Sequence, residues 1–212
     1  MSDNPFLLSH FVDLTEFPQV LAASSETTCV DPFVALVHFF DSLPDSDASF
    51  ERFPQIALKN QERIFLGPDV EIDPFVMIEG PVWIGRGVKI KHGAYVRPYT
   101  LIDDHAVVGH ACEIKHSILC KGAKAAHFNY VGDTILGPRV NLGAGVMCAN
   151  VKLNKAKIKL RAQEKSWALE RRKLGAIIGT EALIGCNAVL SPGTLITPYT
   201  KIPPCTHVSG YH

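Results

Sequence analysis

From Leu66 to Ile114 an aliphatic side chain returns at every sixth residue: Leu66, Ile72, Ile78, Ile84, Ile90, Val96, Ile102, Val108 and Ile114. Four residues after each of the first eight stands a small or β-branched residue, from Val70 and Val76 through Ala94 and Thr100 to Cys112. The series resumes at Ile178, Ile184, Leu190, Ile196 and Ile202, with Ala182, Ala188 and Thr194 among its companions. A period of six fits neither a helix, at about 3.6 residues per turn, nor a plainly alternating strand. It predicts an all-β fold, a hexapeptide solenoid in which short strands wind into a parallel β-helix. Three hexads make one coil, so residues about 18 apart lie directly above one another.

Past Ile114 the register shifts. The next inward positions fall on Leu119, Ala125, Val131, Leu136, Leu142 and Cys148, which shortens the rungs at 114–118 and 131–135 to five residues and their coils to 17. Residues 1–62 ignore the repeat and are expected to form a helical N-terminal cap. There, Asp31-Pro32 followed by Phe33, Leu36, Val37, Phe40 and Leu43 predicts a short helix, with Asp31 as N-cap, Pro32 as first residue and Pro44 as stop. Its aromatic face is expected to cover the open end of the coil, where a terminal rung exposes apolar surface and unpaired edges. The β-helix is expected over 63–208. A loop inserted at about 152–173 interrupts it, holding nine of the 21 Lys and Arg and only two acids, Glu164 and Glu170.

The length of 212 residues suits one domain with a modest extension, and 47% apolar residues supply a core. Zero net charge gives no general reason to expect nucleic acid or an anionic membrane surface as partner. No apolar run approaches ~18 residues and the first residues are polar and acidic, so neither a membrane span nor a signal peptide is expected. The six cysteines form no CxxC pair or zinc spacing, which points to reduced thiols and a cytoplasmic location.

Stacking turns the chain into columns. One runs Arg97, Lys115, Gly132, Ala149, placing two cations about one strand spacing, ~4.8 Å, apart at the backbone. Like charges held that close repel, by about 1 kcal/mol or less when solvated, and are expected to await an anion such as a phosphate. Another column runs His92, His110, His127, Ala144. Two zinc ligand atoms lie at most ~4.2 Å apart, whereas the outer histidines start roughly 9–10 Å apart, so a three-histidine metal site within one chain is not expected. His105 and His110 have the five-residue separation of a metal hydratase pair, but no third ligand accompanies them.

The setting of His127 is specific: Ala125-Ala126-His127-Phe128-Asn129-Tyr130-Val131-Gly132-Asp133, then Val140-Asn141-Leu142-Gly143-Ala144-Gly145, then Asn150. From about Gly80 to Asn150 the chain resembles the acetyltransferase domain of the bifunctional enzymes that make UDP-N-acetylglucosamine in bacteria, whose active-site segment reads approximately A-G-H-x-x-Y-x-G-D, V-N-I-G-A-G, C-N. The resemblance implies a left-handed parallel β-helix and an N-acetyltransferase using acetyl-CoA on an amino-sugar 1-phosphate, as a homotrimer, with no metal required. By the same resemblance, His127 is the general base and Glu113 the carboxylate that orients it. Arg97 and Lys115 hold the sugar phosphate, Tyr130 and Asn141 contact phosphate and sugar, and Asn150 stabilises the oxyanion and positions the thioester. A histidine suits the role of base because imidazole ordinarily titrates near neutrality.

The chain also departs from that pattern. A family lysine falls on Ala156, with Lys155 and Lys157 flanking it as substitutes for contact with coenzyme A, and a family serine becomes Cys186. The basic C-terminal tail of the family has no counterpart before His212, and 60 leading residues cannot hold its nucleotidyltransferase half. The segment 172–179 and the rung 184–190 look more like the β-helical tails of sugar-1-phosphate nucleotidyltransferase-like proteins. The alternative is therefore a non-catalytic sugar-phosphate-binding or assembly module serving a separate nucleotidyltransferase.

Overall fold

The computed structural model describes residues 4–162 and 164–212. Its body is a three-sided prism of parallel strands, each side a sheet built from every third rung. Face I contains eight strands, among them Tyr95–Val96, Glu113–Lys115, Tyr130–Gly132 and Met147–Cys148. Face II contains seven, including Thr100–Ile102, Ile118–Leu119, Ile135–Leu136 and Ala176–Ile178. Face III also contains seven, including Val107–His110, Lys124–His127, Asn141–Leu142 and Leu183–Ile184.

The inward positions read from the period are the core: Ile72, Ile78, Ile84, Ile90, Val96 and their successors are buried, with Leu66 and Ile202 partly so. Register confirms the shortened coils. Ile114 lies beside Val96 on one side and beside Val131 on the other, so the coil that follows it is shorter than the coil before. At the short rungs Ser117 and Thr134 are fully buried, and their hydroxyls take over backbone bonding. Thr134 N–H donates to Ser117 Oγ at 3.1 Å, and Ala176 N–H to Thr134 Oγ1 at 3.1 Å.

The winding is left-handed, and its hand follows from chirality. Carbonyls of inward residues point back to the preceding coil: Ile84 O accepts from Gly67 N–H at 2.7 Å, and Ile114 O from Arg97 N–H at 2.8 Å. For an L-residue whose side chain faces the axis, a carbonyl aimed backwards requires left-handed progression of the chain. The corners turn through residues in the left-handed region, such as Asp69, Phe75, Tyr99, His105 and Asp133, with φ between 48° and 62°.

Two expectations change. The first rung is Ala57–Lys59, ahead of the hexad series, and it pairs with Met77–Glu79 across a coil longer than those that follow. The helix spans Asp31–Ser42, with Val30 at the cap position, while the Asp31 carboxylate accepts the Thr28 N–H at 2.7 Å. Its aromatic side does not cover the open end. Phe33, Leu36 and Phe40, together with Phe6, Phe11 and Phe17, pack on the outside of face II, and the core end is met instead by Phe50 and Phe53. The reason lies in face II itself. Leu101, Ile118, Ile135, Ile177 and Leu195 point outward yet are buried, so its strands are apolar on both sides and need a cover on both.

The basic insertion is likewise ordered. Lys159–Ala162 and Lys165–Ala168 form an antiparallel hairpin, with Leu160 opposite Trp167, and Ile158, Leu160 and Leu169 bury against the same flank. Among the described residues no helix is long and apolar enough to cross a membrane.

Candidate active site at the edge of face I

Successive strands of face I present alternate side chains outward, so Arg97, Glu113 and Lys115 share one surface. The column Arg97, Lys115, Gly132 is as expected. The cations are nevertheless not bare. Arg97 Nη1 donates to Glu113 Oε1 at 2.8 Å, and this hydrogen bond, ahead of an opposing burial effect, raises the guanidinium pKa. Lys115 Nζ stands 3.7 Å from Asp133 Oδ2. The repulsion expected between Arg97 and Lys115 is thus relieved by two carboxylates: Glu113, placed on this surface by its alternation with Lys115, and Asp133, which follows at the corner. One donor is left over. Arg97 Nε is buried with no hydrogen-bond partner among the described residues, which is unfavourable until an acceptor arrives.

Asp133 is the hub of the corner between faces I and II. Its side chain is 5% exposed; Oδ1 lies 2.7 Å from His116 Nδ1, and Asn150 Nδ2 donates to Oδ2. Burial pushes this carboxyl up, but the hydrogen bonds from His116 and Asn150 and the Lys115 charge together outweigh it and hold it below 3.8. The His116 ring is wedged between Phe33, at 5.6 Å, and Tyr99, at 6.2 Å. Tyr130 is half-buried nearby; burial, then the negative charges of Glu113 and Asp133, raise its pKa.

The root of the hairpin overhangs this corner. A cleft of about 770 Å³ lies between them, with Arg97, Lys115, His116 and Asp133 on one wall and Arg171, Arg172 and Lys173 on the other. Lys157 also lines it and pairs with Glu170. Arg171 is held over the Phe33 ring at 5.2 Å, and burial lowers its pKa despite the attraction of Asp133.

Other expected site residues sit apart from the cleft. His127 is exposed at the opposite edge of face I, in register with His110, and its imidazole makes no hydrogen bond or ion pair among the described residues. Its backbone N–H donates to Oδ1 of buried Asn129 at 3.1 Å, which fixes the corner. The Glu113 carboxylate bonds Arg97 and not His127. Cys186, an exposed free thiol, stacks in the His127 column two coils further on. Asn141 is exposed on face III between Lys124 and Leu183, and Lys155 is exposed in a turn closed by its N–H to Lys152 O at 2.8 Å. The His92 and His110 rings stack at 5.3 Å, and no three His, Cys, Asp or Glu side chains converge among the described residues. The sequence reading missed His116 and the ion-pairing of Asp133, although the shortened coils already stack His116, Asp133 and Asn150 in one column.

Comparison with known proteins places this architecture. A family profile described as the GMPPB C-terminal domain matches residues 78–163, less than half of the chain. A bifunctional sugar-1-phosphate nucleotidylyltransferase/acetyltransferase of Sulfurisphaera tokodaii is 37% identical over 126 residues, covering 51% of this chain and 31% of that protein. The bifunctional protein GlmU of Methanocaldococcus jannaschii is 38% identical over 86 residues, covering 41% and 21%, and that of Nitrosospira multiformis 42% over 82 residues, covering 39% and 18%. The chain is thus a hexapeptide-repeat β-helix protein. It is related to bifunctional nucleotidyltransferase/acetyltransferases of the GlmU type and spans less than a third of the length of these relatives.

Proposed function

We propose that the chain is an N-acetyltransferase that moves an acetyl group from acetyl-CoA to the amine of an amino-sugar 1-phosphate. One observation carries the reading: Arg97, whose buried Nε has no hydrogen-bond partner among the described residues, lines with Lys115 a cleft that has room for a phosphate-bearing ligand. The relatives' names support the acetyl-transfer chemistry. In the reaction the amine attacks the thioester carbonyl, a C–N bond forms, the C–S bond breaks, and coenzyme A leaves as its thiol. His127 takes the amine proton, Asn150 steadies the oxyanion, and Tyr130 and Asn141 contact the sugar phosphate. Cys186, Lys155 and Lys157 contact coenzyme A.

Because His127 lies at the opposite edge of face I from the cation cleft and Asn141 lies on face III, the reading requires a neighbouring copy to bring both side chains to each cleft. A homotrimer meets that need. Face II is already covered by the chain itself, which leaves faces I and III for association, and Met77, Met147 and Val189 lie exposed on face I. The test is to incubate the protein with acetyl-CoA and glucosamine-1-phosphate and follow thiol release; the expected result is turnover.

A second reading is supported by the match to the GMPPB C-terminal domain: a module that binds a sugar phosphate without transferring to it and assembles with a separate nucleotidyltransferase. Measurable binding of an amino-sugar phosphate with no thiol release from acetyl-CoA selects this reading over the first.

A further inference from the structure

The two walls of the cleft differ in how their charges are met. On the β-helix wall, Arg97 has Glu113 and Lys115 has Asp133, and Lys157 at the hairpin root has Glu170. Arg171, Arg172 and Lys173, consecutive on the overhanging wall, have no carboxylate within ion-pair distance among the described residues. Asp133 and Glu79, the least exposed acids of this cleft, are already engaged, Asp133 by His116, Asn150 and Lys115 and Glu79 by Lys59 and Tyr95. A single phosphate at Arg97 meets that guanidinium and leaves facing it three cations that hold no ion pair among the described residues. A single phosphate on the overhang leaves Nε unsatisfied.

We infer that the ligand of this cleft bears two linked phosphates, one on the Arg97–Lys115 wall and one beneath Arg171, Arg172 and Lys173. The substrate class is an amino sugar joined to a nucleoside through a diphosphate, so that its 1-phosphate forms half of that group. Guanidinium and ammonium donors on both sides of a diphosphate make charge-assisted hydrogen bonds that a sugar monophosphate can make on one side alone. The volume of about 770 Å³ lies in the upper part of the usual range of small-molecule sites, with room for a nucleotide. Arg171 is pre-positioned by the Phe33 ring, whereas the Arg172 and Lys173 side chains are exposed. The inference rests on the proposed phosphate role of Arg97.

The experiment is calorimetric titration of the full chain with glucosamine-1-phosphate, UDP-glucosamine and coenzyme A. It uses wild type, Arg97→Ala and the double variant Arg172→Ala/Lys173→Ala, whose side chains are exposed and outside the core. Wild type is expected to bind UDP-glucosamine at least about tenfold more tightly than glucosamine-1-phosphate, a gap of about 1.4 kcal/mol. The double variant is expected to erase that gap and change glucosamine-1-phosphate binding less than about twofold, while Arg97→Ala weakens both sugars about tenfold. Equal wild-type affinities, an equal loss for both sugars in the double variant, or a loss confined to coenzyme A each overturn the diphosphate inference while leaving the proposed function standing. No binding of either sugar, or indifference of both to Arg97→Ala, removes the proposed function and the inference with it.

Discussion

His116 Nδ1 lies 2.7 Å from Asp133 Oδ1, and the pair joins two successive coils at the corner where the N-terminal segment, the β-helix and the hairpin meet. Asp133 is more acidic in the folded protein than its ordinary value of 3.8. Its contribution to stability is therefore present above that value and lost as pH falls through the folded pKa. Asp133→Asn is expected to destabilise by about 1–3 kcal/mol at pH 7. The difference from wild type should shrink below about pH 3.8, which denaturant unfolding at pH 7 and pH 3 measures. A difference independent of pH rules out the ionised carboxylate as its source.

His127 and Arg97 are expected to separate kinetically. His127→Ala should lower kcat for acetyl transfer by about 10²–10⁴, the range a general base contributes. Arg97→Ala should act mainly on KM for the sugar phosphate. Steady-state thiol release gives both parameters, and a fall in kcat alone for Arg97→Ala counts against its phosphate-holding role.

Phe33 is 1% exposed and touches both the His116 ring and the Arg171 guanidinium. Phe33→Ala is expected to cost about 3–5 kcal/mol of stability, as for other buried aromatics. Were the N-terminal segment a loose appendage, the loss would be under about 1 kcal/mol. Chemical denaturation distinguishes the two.

The thiols are expected to divide two against four. Burial pushes the Cys29 and Cys148 thiols up to about 12, and Cys112 and Cys120 are also buried and raised, whereas Cys186 and Cys205 are exposed. A chromogenic disulfide reagent should label two thiols in the native protein and six after denaturation. Rapid labelling of a third in native buffer contradicts the packing of the coil interior.

Much of this is legible in the sequence, because a solenoid converts spacing into position. Ile114 over Val96 and under Val131, and Arg97 beside Lys115, follow from counting one full coil and then a shortened one. The doublets Leu101-Ile102, Ile118-Leu119, Ile135-Leu136, Ile177-Ile178 and Leu195-Ile196 also announced a face apolar on both sides. Attending to the period alone passed over them and sent the helix to the end of the coil. The fold of the basic insertion was not legible. Its order depends on partners remote in the chain, such as Phe6, whose ring lies 5.9 Å from that of Trp167, and no local spacing encodes such a meeting. The companions of Arg97 and Lys115 were available in principle, since residues two apart on a strand share a side. Reading the two cations without Glu113 and Asp133 overstated their mutual strain.

Leu174 N–H bonds Asn150 O at 3.0 Å, so the chain leaves the spiral and rejoins it at nearly the same point. Leu136 still pairs with Ile178, and Cys148 with Leu190, as though the intervening stretch were not there. The hairpin is in effect an attachment plugged into a closed socket. A change in its length or tip leaves the threading of the spiral intact, provided that Ile158, Leu160 and Leu169 keep their burial against face II.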